Sequence, residues 1–285
     1  MTSGSVDLQL KLQAAADQAR QAAAAAGVVV TQLSTAQQAM DAAELLHRIW
    51  NPDGQGETPM EPGLLVALEH AGNYVGGAYA GDELIGVTVG FFGAPQASLM
   101  HSHIAGVAAH AVGTGVGAAM KLDQRTWCLQ RGVRTMEWTF DPLIARNAGF
   151  NLNRLGARFT EYLPHFYGEM RDGTNAGQGS DRALITWDLL QMAPRSSAEP
   201  ELLLLLRPDD DGAPLRYAQG NDIAEAVGAA GVVGLQIPAD IPAMRQSQPE
   251  LSAQWRTALR ETMHPLMQAG WQVHGIRNGT YLLGR

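Results

Sequence analysis

Between Val28 and Leu189 short apolar runs alternate with stretches in which apolar residues recur every three or four positions, the mark of strands interleaved with helices. The alanine-rich segment Leu8 to Ala26 reads as a helix and Val28 to Leu33 as a first strand. Ser34 or Thr35 stands where a cap belongs, ahead of Ala39, Ala43, Leu46 and Ile49 at helical spacing. A second such helix is predicted over about Pro62 to Ala71. Tyr74 to Ala80 and Leu84 to Phe92, joined by Gly81-Asp82-Glu83, predict a hairpin. Leu99 to Ala109 follows as a fourth strand, and a helical run extends to Arg131. Thr135 to Phe140, Ala157 to Tyr162 and Ala183 to Leu189 read as strands, with a helix over about Leu143 to Leu155. A hairpin followed by a β-α-β-α-β run predicts an α/β fold, α+β in character, on one mixed sheet.

The composition shifts to Pro, Ser and Ala at Gln191 to Glu201, which marks a linker. Beyond it Leu202 to Leu206 and Gly231 to Ile237 read as buried strands. Ser247-Gln248-Pro249-Glu250 has capping-box spacing, and the helix after it carries Leu251, Trp255, Leu259 and Met263 on one face before Pro265, where a kink or stop is expected. Gln272 to Ile276 and Tyr281-Leu282-Leu283 predict a closing hairpin. A piece of about 90 residues with one long helix buries too little apolar area alone. The expected plan is therefore an N-terminal helical segment over 1–27, a main domain over 28–190, and a smaller α/β extension over 200–285 that packs on it as a lid.

With 46% hydrophobic residues among 285 and a net charge of −8, the chain is globular and lacks the basic surface that nucleic-acid binding needs. The single cysteine, Cys128, excludes an intramolecular disulfide and suits a reducing compartment, so a cytoplasmic protein is expected. No apolar span approaches membrane length, and no membrane partner is expected. His47, His70 and His110 lack metal-ligand spacing, and no metal is expected.

The densest chemical signal is Gly113-Thr114-Gly115-Val116-Gly117-Ala118, at a strand-to-helix turn. Alternating glycines let main-chain N–H groups crowd round one point at a helix N-terminus, which is a seat for phosphate. As letters these residues satisfy the G-x-G-x-x-G/A fingerprint of NAD(P) oxidoreductases. The context opposes that reading: Ala108 to Val112 separate the strand from the first glycine, and Glu137 lies inside its strand. No Gly-Lys-Ser/Thr follows, which excludes a Walker loop.

The same residues resemble the GNAT acyltransferase superfamily, whose pyrophosphate loop follows Q/R-x-x-G-x-G/A after the fourth strand. The match is Val112-Gly113-Thr114-Gly115-Val116-Gly117, with Ala118-Ala119-Met120-Lys121-Leu122 opening the helix. It continues through Asn147-Ala148-Gly149-Phe150-Asn151-Leu152-Asn153-Arg154-Leu155-Gly156-Ala157 and covers about Val28 to Leu189. The resemblance implies a GNAT-like core whose fourth and fifth strands splay around pantetheine. It also implies acetyl-CoA or another acyl-CoA as co-substrate, a small-molecule amine as acceptor, and direct transfer; it leaves a homodimer open. Val107, Gly113, Thr114, Gly115, Val116, Gly117, Ala118 and Asn147 are the implied cofactor contacts. Two departures stand out. Val112 replaces the usual Arg or Gln, and no tyrosine lies near Leu152 to protonate the leaving thiolate, which keeps a non-catalytic acyl-CoA-binding module in play.

Acyl transfer to an amine needs a base, a donor to the carbonyl oxygen and an acid. His101 and His103 alternate on the fourth strand, and His101 lies eleven residues before Val112, where some members of the family carry a glutamate. Glu137 on the next strand competes for the base role. The main-chain N–H of Val107 or its neighbours is the expected oxyanion donor. Tyr162 and Tyr167 are candidates for the acid. The polar stretch holding Glu169, Arg171, Asp172 and Asn175 is the candidate contact for the acceptor.

Overall fold

The computed structural model describes residues 3–94, 98–168, 179–191, 202–217, 227 and 231–285. The chain divides into two compact units, Met1–Trp138 with Asp188–Leu190, and Thr139–Trp187 with Gln191–Arg285. The architecture is α/β with mixed sheets, as the element order predicts.

In the first unit α1 (Ser3–Ala25) leads to β1 (Val29–Gln32), α2 (Ala36–Trp50), α3 (Pro62–His70), β2 (Tyr74–Ala80), β3 (Glu83–Phe92), β4 (Leu99–Val107), α4 (Val116–Gln130) and the start of β5 (Thr135–Phe140). Of the two candidate caps for α2, Thr35 is the one used: its hydroxyl accepts from the Gln38 N–H while the Gln38 side chain takes the Thr35 N–H, a reciprocal capping box. The strands run in the order β1-β2-β3-β4-β5, antiparallel up to β4, and β4 pairs with β5 in parallel. Apolar side chains of both sheet faces find cover. Leu45, Leu46 and Leu65 of α2 and α3 pack with Val75, Val87 and Val89, while Val116, Ala119 and Met120 of α4 pack with Ala78 and Ile85.

The second unit holds β6 (Arg158–Leu163) antiparallel to β7 (Arg182–Asp188), and a five-stranded sheet in the order β11-β12-β10-β8-β9. Its strands are β8 (Leu203–Pro208), β9 (Pro214–Arg216), β10 (Val232–Gln236), β11 (Gln272–Arg277) and β12 (Thr280–Gly284). The helix expected over Leu143 to Leu155 is shorter and irregular: α5 (Ala145–Ala148) passes into a π-helical turn over Gly149–Arg154. That turn is tied to the C-terminal sheet, because Asn153 Nδ2 donates to the Ile276 carbonyl at 2.6 Å.

One expectation about the C-terminal helices needs correction and another is narrowed. The Ser247 hydroxyl closes α6 (Ile241–Ser247) by donating to the Ala243 carbonyl, so no capping box forms and Gln248 is the N-cap of α7 (Pro249–Gln268). Pro265 does not end α7, which runs on to Gln268. Trp255, Leu259 and Met263 lie on its buried face, and Trp255 Nε1 donates to the Gly212 carbonyl at 3.0 Å. Residues 191–285 share their unit with residues 139–187, a division that the linker composition does not reveal.

Candidate active site

Strand β4 is paired unequally on its two sides. It follows β3 from Met100 to Val107, but it meets β5 only over Leu99, Met100 and His101, opposite Thr135, Met136 and Glu137. From Ser102 onward the two parallel strands part. A bulge assists, since Gly90 pairs with Ser102 and Val89 with Ile104, leaving His103 as the extra residue. The Ala108 N–H donates to the Ile85 carbonyl at 2.8 Å on the β3 side. Ladder alternation therefore turns the Val107 N–H to the unpaired side, where the oxyanion donor was expected.

The open edge leads into the glycine turn. After a 3-10 turn at Ala109–Ala111 the backbone turns left-handed at Gly113 (φ 88°) and Gly115 (φ 101°), conformations natural to glycine. Gly115 caps α4 without a side chain, while the Thr114 hydroxyl donates inward to the Ala111 carbonyl at 2.8 Å. The first amides of α4, on Val116, Gly117 and Ala118, have no carbonyl four residues back within the helix. They and the helix dipole offer an anion site, with space around Gly113, where an added Cβ would meet nothing within 4 Å. Val112 is 43% exposed and adds no charge.

Two sets of polar groups flank the parting strands, one on each sheet face. On one face the rings of His101 and His103 lie 6.0 Å apart and 5.1 and 5.7 Å from Phe91. Glu137, the register partner of His101, shares that face. The structure thus brings together His101, His103 and Glu137. Burial holds the His101 pKa below the ordinary imidazole value, and the charges of His103 and Lys121 act in the same direction. His103 is lowered by partial withdrawal from water. Both rings are biased to the neutral, proton-accepting form.

On the α4 face stands Lys121, a residue the sequence reading placed only as part of the helix opening. Its ammonium is buried, donates to Ser102 Oγ at 2.5 Å, approaches Gln124 Oε1 at 3.4 Å and lies 4.2 Å from the Trp138 ring centroid. Ser102 in turn donates to Gln124 Oε1 at 2.8 Å. Removal from water brings the lysine pKa down to about 7. The signal available in the sequence was slight, because Lys121 shares its helical face with Gln124 and Arg125 as well as with Ala118 and Cys128.

The remaining candidates lie elsewhere. Asn147, Tyr162 and Tyr167 belong to the second unit. Tyr162 does not stand as a free acid: it is 1% exposed, its hydroxyl donates to Asp181 Oδ2 at 2.8 Å, and burial with that carboxylate raises its pKa well above the phenol value. Tyr167 is 44% exposed, with its hydroxyl 3.0 Å from Thr139 Oγ1. Glu169, Arg171, Asp172 and Asn175 lie outside the described residues. Cys128 is buried, its thiol pushed up to about 12 by desolvation, an inert core group. Among the described residues no cluster of histidine, cysteine and carboxylates could hold a metal, and no helix is long and apolar enough to cross a membrane.

No protein-family model and no curated protein matches the chain. Solved structures do. An acetyltransferase of the GNAT family from Streptococcus pneumoniae is 9% identical, with 56% of this chain and 98% of that one covered and a TM-score of 0.46. The ribosomal-protein-S18-alanine N-acetyltransferase of Escherichia coli gives 12%, 60%, 99% and 0.46 in the same terms. Diaminobutyrate acetyltransferase from Paenibacillus lautus, solved with its substrate and coenzyme A, gives 16%, 58%, 96% and 0.44. These are likenesses of backbone path over little more than half of this chain.

Proposed function

We propose that the first unit binds an acyl-CoA and that the protein is an N-acyltransferase, passing the acyl group directly to a small amine in the cytoplasm. The observation that carries the reading is the one-sided pairing of β4: its edge is open from Ser102 to Val107 and runs into a glycine-lined helix N-terminus with no side-chain cap. Pantetheine laid along that edge would have main-chain partners, the pyrophosphate would meet the α4 amides, and the thioester would lie towards the closed end. A main-chain N–H on the unpaired edge, that of Val107 or of a neighbour nearer the closed end, can polarise the carbonyl, and neutral His101 can take the ammonium proton directly or through water. The acidic surface favours a small acceptor over a polyanion.

A thermal-shift and calorimetric panel of CoA thioesters tests the binding step, with NAD(P) as the competing ligand. A thioester at about 100 times its dissociation constant adds about 2.7 kcal/mol of stability. Gly115→Val puts a branched side chain at φ 101° and should abolish the shift, and unchanged affinity in the folded variant would remove the phosphate seat. Release of CoA with a panel of amines tests turnover. The engagement of Tyr162 with Asp181 favours a second reading, an acyl-CoA-binding module that does not turn over, and binding without CoA release would select it.

A further inference from the structure

The mechanism above makes no use of Lys121, and a buried ammonium is costly unless something answers its charge. Its described partners are a hydroxyl, an amide oxygen and an indole face, all neutral. The amide of Gln124 is the second anomaly: its oxygen accepts from Ser102, but its Nε2 group is buried without a hydrogen-bond partner. Gly90 opposite makes room for it, since a Cβ there would stand 2.8 Å from Gln124 Nε2. The buried cation, whose partners are neutral, calls for an acceptor-only anion, and the neighbouring unsatisfied amide marks the same stretch of α4 as incompletely satisfied.

Their place in the fold says which anion. Ser102 is the first β4 residue beyond the pairing with β5, and Trp138 follows the last paired residue of β5. Lys121 touches both, so it lies at the closed end of the gap, on the α4 face. His101, His103 and Glu137 lie on the opposite face, where the amine must approach the base. A group that enters the gap from the glycine turn and passes the thioester carbon continues towards Lys121, while Gln124 Nε2 lies beyond Ser102, over Gly90 of β3. We propose that Lys121 receives a carboxylate at the far end of the acyl chain, so that the donor is the CoA thioester of a short dicarboxylic acid such as succinate. This rests on the acyl-CoA reading and names its acyl group. The lowered lysine pKa fits: without a ligand the site sheds its charge near neutrality, and a bound carboxylate restores it.

The chain has only two lysines, Lys11 and Lys121, and Lys11 is exposed, so 13Cε-lysine labelling gives two readily assigned signals. Wild-type protein is titrated with succinyl-CoA and with butyryl-CoA, which has the same four-carbon length and ends in a methyl group. Succinyl-CoA should bind about 10- to 100-fold more tightly, as a charge-assisted pair implies. It should also move the Lys121 signal to the ammonium position at pH 8, while butyryl-CoA does not. In Lys121→Met the ratio of the two affinities should fall to about one. Butyryl-CoA binding as well as succinyl-CoA, or a succinyl preference that survives Lys121→Met, overturns the acyl-carboxylate assignment and leaves the acyl-CoA reading standing. A Lys121 response to free amino acids alone places the acceptor there instead and also overturns it. Binding of neither thioester overturns both. The wild-type titration decides without the variant should Lys121→Met fail to fold.

Discussion

The two units bury charge in opposite ways. In the first, Lys121 is withdrawn from water among neutral partners. In the second, Asp141 receives Arg256 in a bidentate pair, with both distances 2.6 Å, and Arg245 on the same carboxylate. Asp181 likewise holds Arg260 at 2.8 and 3.0 Å, the Tyr162 hydroxyl and the His165 N–H. Opposite charges at this range keep both carboxyls below the ordinary carboxylate range despite burial. A compensated carboxylate keeps one charge state through the physiological range and acts as a fastener. The uncompensated lysine changes state near neutrality, which a fastener should not do and a binding group can exploit.

Catalytic loss is the sharpest way to test this contrast. His101→Ala should lower kcat by about 10²- to 10⁴-fold with little change in unfolding free energy. In wild type kcat/KM should rise through a pKa below the ordinary imidazole value, because both burial and the Lys121 charge favour the neutral ring. An equal loss from Glu137→Gln, with His101→Ala near wild type, would transfer the base role. Asp141→Ala should show the reverse pattern. It leaves Arg245 and Arg256 buried without their carboxylate, and denaturant unfolding should register a loss of about 3–5 kcal/mol. A loss under about 1 kcal/mol would mean the second unit's charges are not fasteners at all.

The pH dependence of stability separates the two sites further. The folded pKa of Lys121, about 7, lies below the usual 10.5, so between these values the unfolded chain binds more protons and stability rises with pH. The slope should approach about 1.4 kcal/mol per pH unit and flatten in Lys121→Met. Asp141 works at the acid end: its depressed pKa contributes stability above the ordinary carboxylate value, and that contribution is lost as pH falls towards the folded value. The smallest effect belongs to Tyr162→Phe, which removes one donor to Asp181 and should cost about 1–2 kcal/mol with kcat unchanged. A large kcat loss at equal stability would restore Tyr162 as the acid.

Much of this was legible along the chain, where the determinants are local. The 3.6-residue spacing in α2, the Gly81-Asp82 turn between β2 and β3, and the glycines ahead of α4 each act within a few residues, so sequence alone placed those elements and the glycine turn proposed as the phosphate seat. His101 and Glu137 were nameable from their strands. Their register, and the parting of β4 from β5 just beyond it, came only with the sheet. Ser102, Lys121, Gln124 and Trp138 span 37 positions and meet only because α4 lies across β4 and β5. The same holds for the second unit. Asp141 finds Arg245 and Arg256 from 104 and 115 residues away, which ties the C-terminal segment to residues 139–187 within one unit. Periodicity and turn chemistry are read from neighbours in sequence. Which buried charge meets a counter-charge is settled by packing between distant segments, and that alone decides whether a lysine is a core misfit or a binding group.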